Sequence, residues 1–336
     1  MFRVPSLKIG ASFIGVVLLV LLLGCSGGSS GSSTQAVSNI RPRAFVSNTE
    51  ASDLQIINAA TDVLYTASTI AVGQQPTLLA LPPNKSFTLA FNSGDNSISV
   101  VSNLNESQTT TIPLPSWTES IAISPDSTLG YVAMPAATPL GQPAGLVDVL
   151  DLVNHNVKYS LPVAQAHRVV VNHSGNRVLV FSDNSDAVTI IAPNQIGKTT
   201  AISTVSGFDR PVWGVFSDDD STAYILDCGP ECGGSNAGVT VLHMNNNTVG
   251  ATVGLSGATM AILNSGNLYV AGSGHQAGTL QVVNTSGLLA SPPVTISNGY
   301  HDRMELGSNN KLFIGARGCS GSGCLSIFNT AANTAV

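Results

Sequence analysis

The chain has 336 residues, of which 43% are hydrophobic and only 10% are charged, and its formal net charge is −6. That length can bury a large core, and abundant Ser, Thr, Asn, Gly and Val beside scarce Lys and Glu favour strands and turns over helices. An acidic chain without a basic patch argues against nucleic acid as a partner.

The pattern of the N-terminal residues indicates an export signal. Arg3 and Lys8 precede a mostly apolar stretch, residues 9–23, which is too short for a comfortable membrane span. It ends in Leu22-Leu23-Gly24-Cys25, which resembles a bacterial lipobox. The resemblance implies that residues 1–24 are a signal peptide and that the Cys25 thiol receives a lipid. An ordinary signal peptide followed by an incidental Cys is the alternative.

Residues 25–42 are predicted to form a tether between lipid and folded domain. Positions 26–38 are rich in Ser and Gly, a composition that behaves as a flexible coil. Acyl chains on Cys25 would attach the chain to a membrane. Ser26, where an Asp would signal retention at the inner membrane, favours the outer membrane by resemblance to Gram-negative sorting rules. We therefore expect a cell-envelope protein on the periplasmic or surface side.

The remainder, residues 43–336, contains a repeat. A short apolar strand followed by a polar turn recurs about every 42 to 47 residues, the spacing of propeller blades, in segments 78–84, 120–127, 169–175, 214–219, 261–266 and 304–309. A second apolar strand recurs at 44–47, 88–91, 130–133, 178–181, 223–226, 268–271 and 312–315. A third recurs at 54–57, 98–101, 147–150, 188–191, 239–242, 280–283 and 325–328, and a weaker fourth precedes each new turn.

Units of four short antiparallel strands bury both sheet faces when they stack around an axis. The sequence therefore predicts an all-β fold, a β-propeller of seven blades, with six or eight blades as alternatives. The N-terminal unit lacks an innermost strand. The C-terminal unit stops soon after Phe328 and is short of its outer strand. Two alternatives follow: the chain is a fragment with an incomplete last blade, or the ring closes in an unusual way.

The repeats from about Arg43 to the C-terminus resemble the YVTN-type bacterial surface propellers, which are similar to WD40 repeats, and the unit of residues 119–161 matches best. The residues that carry the resemblance are Ser124-Pro125-Asp126-Ser127, Tyr131-Val132-Ala133 and Val147-Asp148-Val149-Leu150. Members of that family are mostly binding or surface proteins, with relatives among lactonases and quinoprotein subunits. Because one fold hosts many functions, the resemblance implies an architecture and leaves several activities open.

Four further cysteines form two close pairs, Cys228 with Cys232 and Cys319 with Cys324, each between a second and a third strand. The oxidising cell envelope favours two local disulfides. A zinc site made of four thiolates and free thiols are the alternatives.

Aligning the inner strands places a polar cluster at one mouth of the central tunnel. Charged residues that would gather there, in a chain poor in charge, are Glu119, His167, Arg168, Asp209, Arg210, His301, Asp302 and Arg303. Such a cluster is a candidate binding rim, and a solvated rim without a ligand is the alternative. We also expect Glu305 to be buried and to pair with Arg303 or Arg317.

No nucleophile elbow, metalloprotease helix or phosphate-binding loop occurs in the sequence, and no motif predicts a cofactor or a metal. The preferred hypothesis is a non-catalytic scaffold that binds a protein or a glycan through a propeller face. The alternative is a lactonase-like hydrolase in which Glu119, His167 and Asp302 act, with or without a divalent metal. There, a His beside a carboxylate would serve as general base.

Overall fold

A computed structural model describes residues 37–274 and 277–335. These residues form seven antiparallel sheets that follow one another along the chain, which confirms the predicted seven-bladed β-propeller. The predicted signal peptide and Cys25 lie outside the described residues. Within the described ranges the only helical segments are three 3₁₀ turns, Pro193–Gln195, Gly229–Cys232 and Cys319–Gly321, and no helix there is long and apolar enough to cross a membrane.

Blade one has three strands and blades two to four have four each. Their bounds are β1 Arg43–Asn48, β2 Asp53–Asn58 and β3 Val63–Ala71; β4 Pro76–Ala80, β5 Phe87–Asn92, β6 Ser97–Ser102 and β7 Ser107–Pro113; β8 Ser120–Ile123, β9 Leu129–Met134, β10 Leu146–Asp151 and β11 Asn156–Pro162; β12 Ala166–Val171, β13 Val178–Ser182, β14 Ala187–Ile191 and β15 Ile202–Ser206.

In blade six the outer strand is split in two, and in blade seven it is reduced to two residues. The strands of blades five to seven are β16 Pro211–Phe216, β17 Thr222–Asp227, β18 Gly238–His243 and β19 Thr248–Gly254; β20 Met260–Asn264, β21 Asn267–Gly274, β22 Ala277–Asn284, β23 Leu289–Ala290 and β24 Val294–Ile296; β25 Tyr300–Leu306, β26 Lys311–Arg317, β27 Gly323–Asn329 and β28 Thr334–Ala335.

The first strands of blades two to seven surround the axis, since each contacts the first strand of a neighbouring blade. The second strands carry most of the core. All six residues of β5 are buried, as are five of the six residues of β9 and of β17. Both faces of these strands are covered by adjacent blades, which is why they read as unbroken apolar runs in the sequence.

The turn after the inner strand is held by its own side chains. In blade three the Asp126 carboxylate accepts from the Thr128 backbone N–H at 3.1 Å, and the Ser127 N–H donates to the Ser124 carbonyl at 2.8 Å. In blade five Asp219 plays the same part, and its pKa falls to about 2 because the Ser217 hydroxyl and the Ser221 N–H and hydroxyl donate to it. The recurring Ser-x-Asp pattern is thus turn chemistry.

Candidate functional site at the tunnel mouth

Bulges at the start of the inner strands aim side chains into one mouth of the tunnel. In four blades the register between first and second strand shifts by one residue, at Thr77, His167, Val212 and Asp302. A bulge leaves its extra residue unpaired and turns its side chain out of the regular alternation. His167 of blade four and Asp302 of blade seven reach the mouth in this way.

The mouth is spanned by an ion-pair network centred on Arg317, at the end of β26. Its guanidinium donates to both carboxylate oxygens of Glu119, at 3.2 and 3.1 Å, and it also pairs with Asp302. On the other side of Asp302, the buried Arg168 lies 3.7 Å away. Glu119 belongs to blade three and Arg168 to blade four, so these contacts connect blade seven to both of them across the axis.

His167 lies between two carboxylates. Its Nδ1 is 2.6 Å from an oxygen of Asp183 and its Nε2 is 3.4 Å from an oxygen of Glu119. The hydrogen bond to Asp183 raises the pKa of His167, and the hydrogen bond from Arg317 lowers the pKa of Glu119 to about 2. The Trp117 and His167 rings are nearly perpendicular, with 6.0 Å between ring centroids. The arrangement therefore favours the protonated form of the imidazole.

Beside this network lies a cavity of about 280 Å³ lined by His167, Arg168, Asp183, Arg210 and Tyr300. The rest of its lining consists of the polar Ser182, Asn184 and Ser185 and the less polar Phe181, Pro211, Val212 and Cys232. The Arg210 guanidinium is 3.7 Å from Asp186. A second cavity of about 240 Å³ runs down the tunnel and also touches Arg168. Arg168 thus borders both the rim cavity and the tunnel cavity.

Five of the predicted rim residues come together at the mouth: Glu119, His167, Arg168, Asp302 and Arg303. Arg303 donates to the backbone carbonyl of Asp302 at 3.0 Å. Arg210 pairs with Asp186 and lines the rim cavity together with His167 and Arg168.

The other three charged positions differ from expectation. Asp209 accepts from the Asn236 N–H at 2.7 Å and so holds the loop that follows β17. His301 is buried between blades six and seven, where its Nε2 meets the Ser297 carbonyl at 2.9 Å. The expectation of a buried, paired Glu305 is wrong, because its side chain is exposed and has no ion pair within the described part of the chain.

Sequence reasoning missed Arg317, Asp183 and Tyr300 as members of the site. Arg317 and Asp183 stand at or just beyond the ends of second strands, β26 and β13. In an antiparallel blade the second strand ends where the first begins, so a charged residue closing an apolar second strand is the signal that could have identified them.

The two predicted disulfides are present, Cys228–Cys232 and Cys319–Cys324. Each closes a loop at the same end of the propeller as the rim, and Cys232 lines the rim cavity. Glu231, inside the first loop, accepts from the Ser273 N–H of blade six at 2.9 Å. Each pair of cysteines therefore forms a disulfide within its own loop. Among the residues described, no group of three or more His, Cys, Asp or Glu side chains is arranged to hold a metal ion.

No protein-family model matches the sequence, and no curated protein matches it. Solved structures do share the fold. A functionally unknown protein from Desulfotomaculum acetoxidans DSM 771 aligns with a TM-score of 0.65 at 14% identity, over 88% of this chain and 94% of that one. Dihydro-heme d1 dehydrogenase NirN in complex with DHE aligns at 0.65 and 11% identity, over 90% of this chain and 65% of that one. Kuenenia stuttgartiensis hydrazine synthase gives 0.52 at 17% identity, over 86% and 73%.

Proposed function

We propose that the protein is a lipid-anchored cell-envelope propeller of the YVTN type that works as a non-catalytic scaffold, binding a protein or a glycan at the tunnel mouth. One observation carries the proposal. The acid–base groups of the mouth are engaged with one another, while an open cavity with charged, polar and apolar lining residues lies directly beside them. The mouth therefore offers a shaped, charged surface rather than a free base or nucleophile.

The state of His167 argues against general-base chemistry. A general base needs an unprotonated nitrogen facing the substrate. Here Nδ1 faces Asp183 and Nε2 faces Glu119. The raised pKa of His167, caused first by its hydrogen bond to Asp183, keeps the proton on the ring at higher pH than usual.

The contacts of Arg317 argue against a divalent metal ion at the mouth. Its guanidinium bridges Glu119 and Asp302, two of the three residues a hydrolase of this kind would use as ligands. A divalent ion at that place would have to displace a charged donor that already satisfies both carboxylates. Binding through the intact network needs no such rearrangement.

The chemistry of the rim cavity supports a ligand rich in hydroxyl, amide or carboxylate groups. Arg210 and Arg168 present guanidinium donors, and Asn184 adds an amide. Tyr300 supplies an aromatic wall, against which the Arg317 guanidinium lies 5.9 Å from the ring centroid. Sugars and polypeptide segments both offer partners for such a lining.

The anchor is tested separately from the rim. Cys25→Ser removes the only thiol that could carry the proposed lipid at the predicted cleavage site. The parent protein is expected to incorporate labelled palmitate and to sediment with outer membranes, whereas the variant is expected to do neither. Palmitate labelling and membrane sedimentation that persist in Cys25→Ser would contradict a lipid anchor at this site.

The rim is tested by chemical cross-linking of intact cells that express the anchored protein. The variant Glu119→Gln/His167→Asn/Asp302→Asn replaces the two carboxylates and the imidazole of the rim with uncharged groups of similar volume, and its melting temperature serves as a folding control. A discrete species cross-linked to the parent and lost from the folded variant is the expected result. A species that is still cross-linked to the variant would mean that the partner contacts a surface away from the mouth.

A lactonase-like hydrolase is the second candidate, and one distance favours it. The 2.6 Å contact from His167 Nδ1 to Asp183 is the contact by which a carboxylate orients a catalytic imidazole. This candidate predicts hydrolysis of lactones, with or without an added divalent metal, that His167→Asn abolishes. Hydrolysis at equal rates in parent and variant, or in neither, would eliminate His167 as a catalytic base.

A further inference from the structure

Arg168 carries a buried guanidinium that makes no hydrogen bond. Its side chain is only 7% exposed, and a charged group buried to that extent is normally hydrogen-bonded to its partner. Its ion-pair partner Asp302 is 3.7 Å from one terminal nitrogen, which is beyond hydrogen-bond distance. Within the described part of the chain, no other acceptor reaches the guanidinium. Most of its N–H groups are therefore available to a ligand.

The rim cavity, which Arg168 borders, is lined by further polar groups that are available for binding. The Arg210 guanidinium is 3.7 Å from its carboxylate partner, again beyond hydrogen-bond distance. The side chains of Ser182, Asn184 and Tyr300 form no hydrogen bond with any residue that the structure describes. A few convergent polar groups of this kind fix the orientation of a bound ligand. The cavity thus presents guanidinium, hydroxyl and amide groups to one occupant.

The charged groups of the mouth do not balance, because four cationic groups share three carboxylates. The cationic groups are Arg168, Arg303, Arg317 and protonated His167, and the carboxylates are Glu119, Asp183 and Asp302. His167 counts as cationic because its hydrogen bond to Asp183 raises its pKa. A ligand with one negative charge would balance the cluster. A ligand with two would be repelled by Asp302, which lies beside Arg168.

We propose that the rim cavity binds an acidic sugar residue of a glycan, whose carboxylate pairs with the Arg168 guanidinium. Arginine and a carboxylate can form two parallel hydrogen bonds, which fix the orientation of the ligand as well as adding affinity. The hydroxyls of the sugar ring then meet the polar groups of Ser182, Asn184 and Tyr300, since a hydroxyl both donates and accepts. This inference rests on the proposed binding function of the tunnel mouth and names the class of ligand for it.

The lining favours a sugar over the acidic side chain of a polypeptide. An aspartate or glutamate side chain ends in a carboxylate and carries no other polar group for the remaining donors and acceptors of the cavity. A sugar acid carries its carboxylate and several hydroxyls on one ring, so it can contact groups on different walls at once. The aromatic ring of Tyr300 adds an apolar face for the C–H groups of the sugar.

The test titrates the purified full-length chain with methyl glucuronide and, in parallel, with methyl glucoside, which has the same ring without the carboxylate. Calorimetry is expected to show saturable binding of the glucuronide and at least about tenfold weaker binding of the glucoside. Arg168→Lys keeps the charge but loses the planar fork, and it is expected to weaken glucuronide binding at least about tenfold. Arg177→Lys is the matched control, because that guanidinium donates to the carbonyl of its own neighbour Asn176.

A second variant keeps the test decisive if Arg168→Lys, at a buried position, fails to fold. Asn184 is exposed on the wall of the cavity, so Asn184→Ala is expected to keep the melting temperature of the parent. Removing one hydrogen-bonding group from the site is expected to weaken glucuronide binding about threefold or more.

Any of four results would overturn the proposal. These are no saturable binding of methyl glucuronide, equal binding of glucuronide and glucoside, tighter binding of inorganic phosphate, and tighter binding of the peptide acetyl-Ala-Glu-Ala-amide.

Failure here is distinguishable from failure of the proposed function. A discrete species that is cross-linked to the parent in cells and lost from Glu119→Gln/His167→Asn/Asp302→Asn would keep the mouth as a binding surface even if the glucuronide does not bind. If that species is absent as well, both proposals fail.

Discussion

Arg317 donates to Glu119 at 3.1 Å across the tunnel mouth, although 198 residues separate them in the chain. The contact links blade seven to blade three, which are not neighbours in the ring. Blades seven and one share no apolar cluster within the described residues. The Arg317–Glu119 and Arg168–Asp302 contacts therefore help to stabilise blade seven from across the axis.

Removal of the Arg317 guanidinium is expected to destabilise the fold. Asp302 is buried. Arg317→Met would leave it with only two longer ion-pair contacts, to Arg168 at 3.7 Å and to Arg303 at 3.9 Å. The free energy of unfolding is expected to fall by about 2 kcal/mol at pH 7, measured by urea denaturation. The matched control is Arg177→Met, because that guanidinium donates to the carbonyl of its own neighbour Asn176. Equal losses in the two variants would contradict a special role for Arg317.

The same pair predicts a shift in the titration of Glu119. Its pKa of about 2 comes first from the hydrogen bond of Arg317, so Arg317→Met is expected to raise it toward the ordinary 4.5. A lowered carboxyl pKa contributes stability above the unfolded value that is lost as the pH falls through the folded value. NMR titration of the Glu119 side chain checks the shift, and an unchanged pKa in the variant would contradict the cited cause.

Asp183 is expected to control the protonation of His167. The hydrogen bond from His167 to Asp183 is the largest cause of the raised pKa of His167, so Asp183→Asn is expected to lower that pKa. Below the unfolded pKa this pairing stabilises the fold, and the contribution is lost as the pH rises through the folded pKa. Imidazole proton shifts measure the titration. Asp186→Asn removes the ion-pair partner of Arg210 instead and is expected to leave the pKa of His167 unchanged.

Asp227 predicts a dependence of stability on pH that is opposite in sign to that of Glu119. Burial raises its pKa from 3.8 to about 6, so between these values the folded state holds a proton that the unfolded state has released. Stability therefore falls as the pH rises from about 4 to about 6, by up to about 3 kcal/mol. Asp227→Asn is expected to remove this slope from a series of urea denaturations. A slope that persists in the variant would assign it to another group.

The Cys228–Cys232 disulfide is expected to stabilise the loop that borders the rim cavity. Closing a loop this short contributes about 2 kcal/mol by restricting the unfolded chain. Cys228→Ser/Cys232→Ser is expected to show that loss and to speed hydrogen exchange at the Ser273 amide, since Glu231 of the same loop accepts from it. Unchanged exchange would mean that Glu231 is positioned without the disulfide.

The sequence was sufficient for the architecture, because each second strand is an apolar run covered on both faces. It was also sufficient to place Glu119, His167 and Asp302 at one level, since the inner strands align through their polar turns. It failed for Glu305. Its position matches partly buried apolar residues of other inner strands, such as Ala122 and Ile262. Glu305 lies instead on β25 next to blade one, where the neighbouring inner strand that would cover it is absent from the described residues.

Arg317 and Asp183 escaped prediction for a different reason. Their roles depend on how far the ends of second strands project past the bulged inner strands. A one-residue bulge changes which side chains meet, and nothing in the local pattern around His167 or Asp302 indicates one. Contacts across the axis, such as that between Arg317 and Glu119, arise from the closed curvature of the whole ring.

The most direct test of the central claim, that the tunnel mouth is a binding surface, places a photo-cross-linking amino acid at Asn184, on the wall of the rim cavity. The control places it at Val153, which is 69% exposed in the turn between β10 and β11 at the opposite end of the propeller. After irradiation of intact cells, we expect one discrete adduct at Asn184 and none at Val153. The same adduct at both positions, or an adduct at Val153 alone, would contradict the assignment of the mouth as the binding surface.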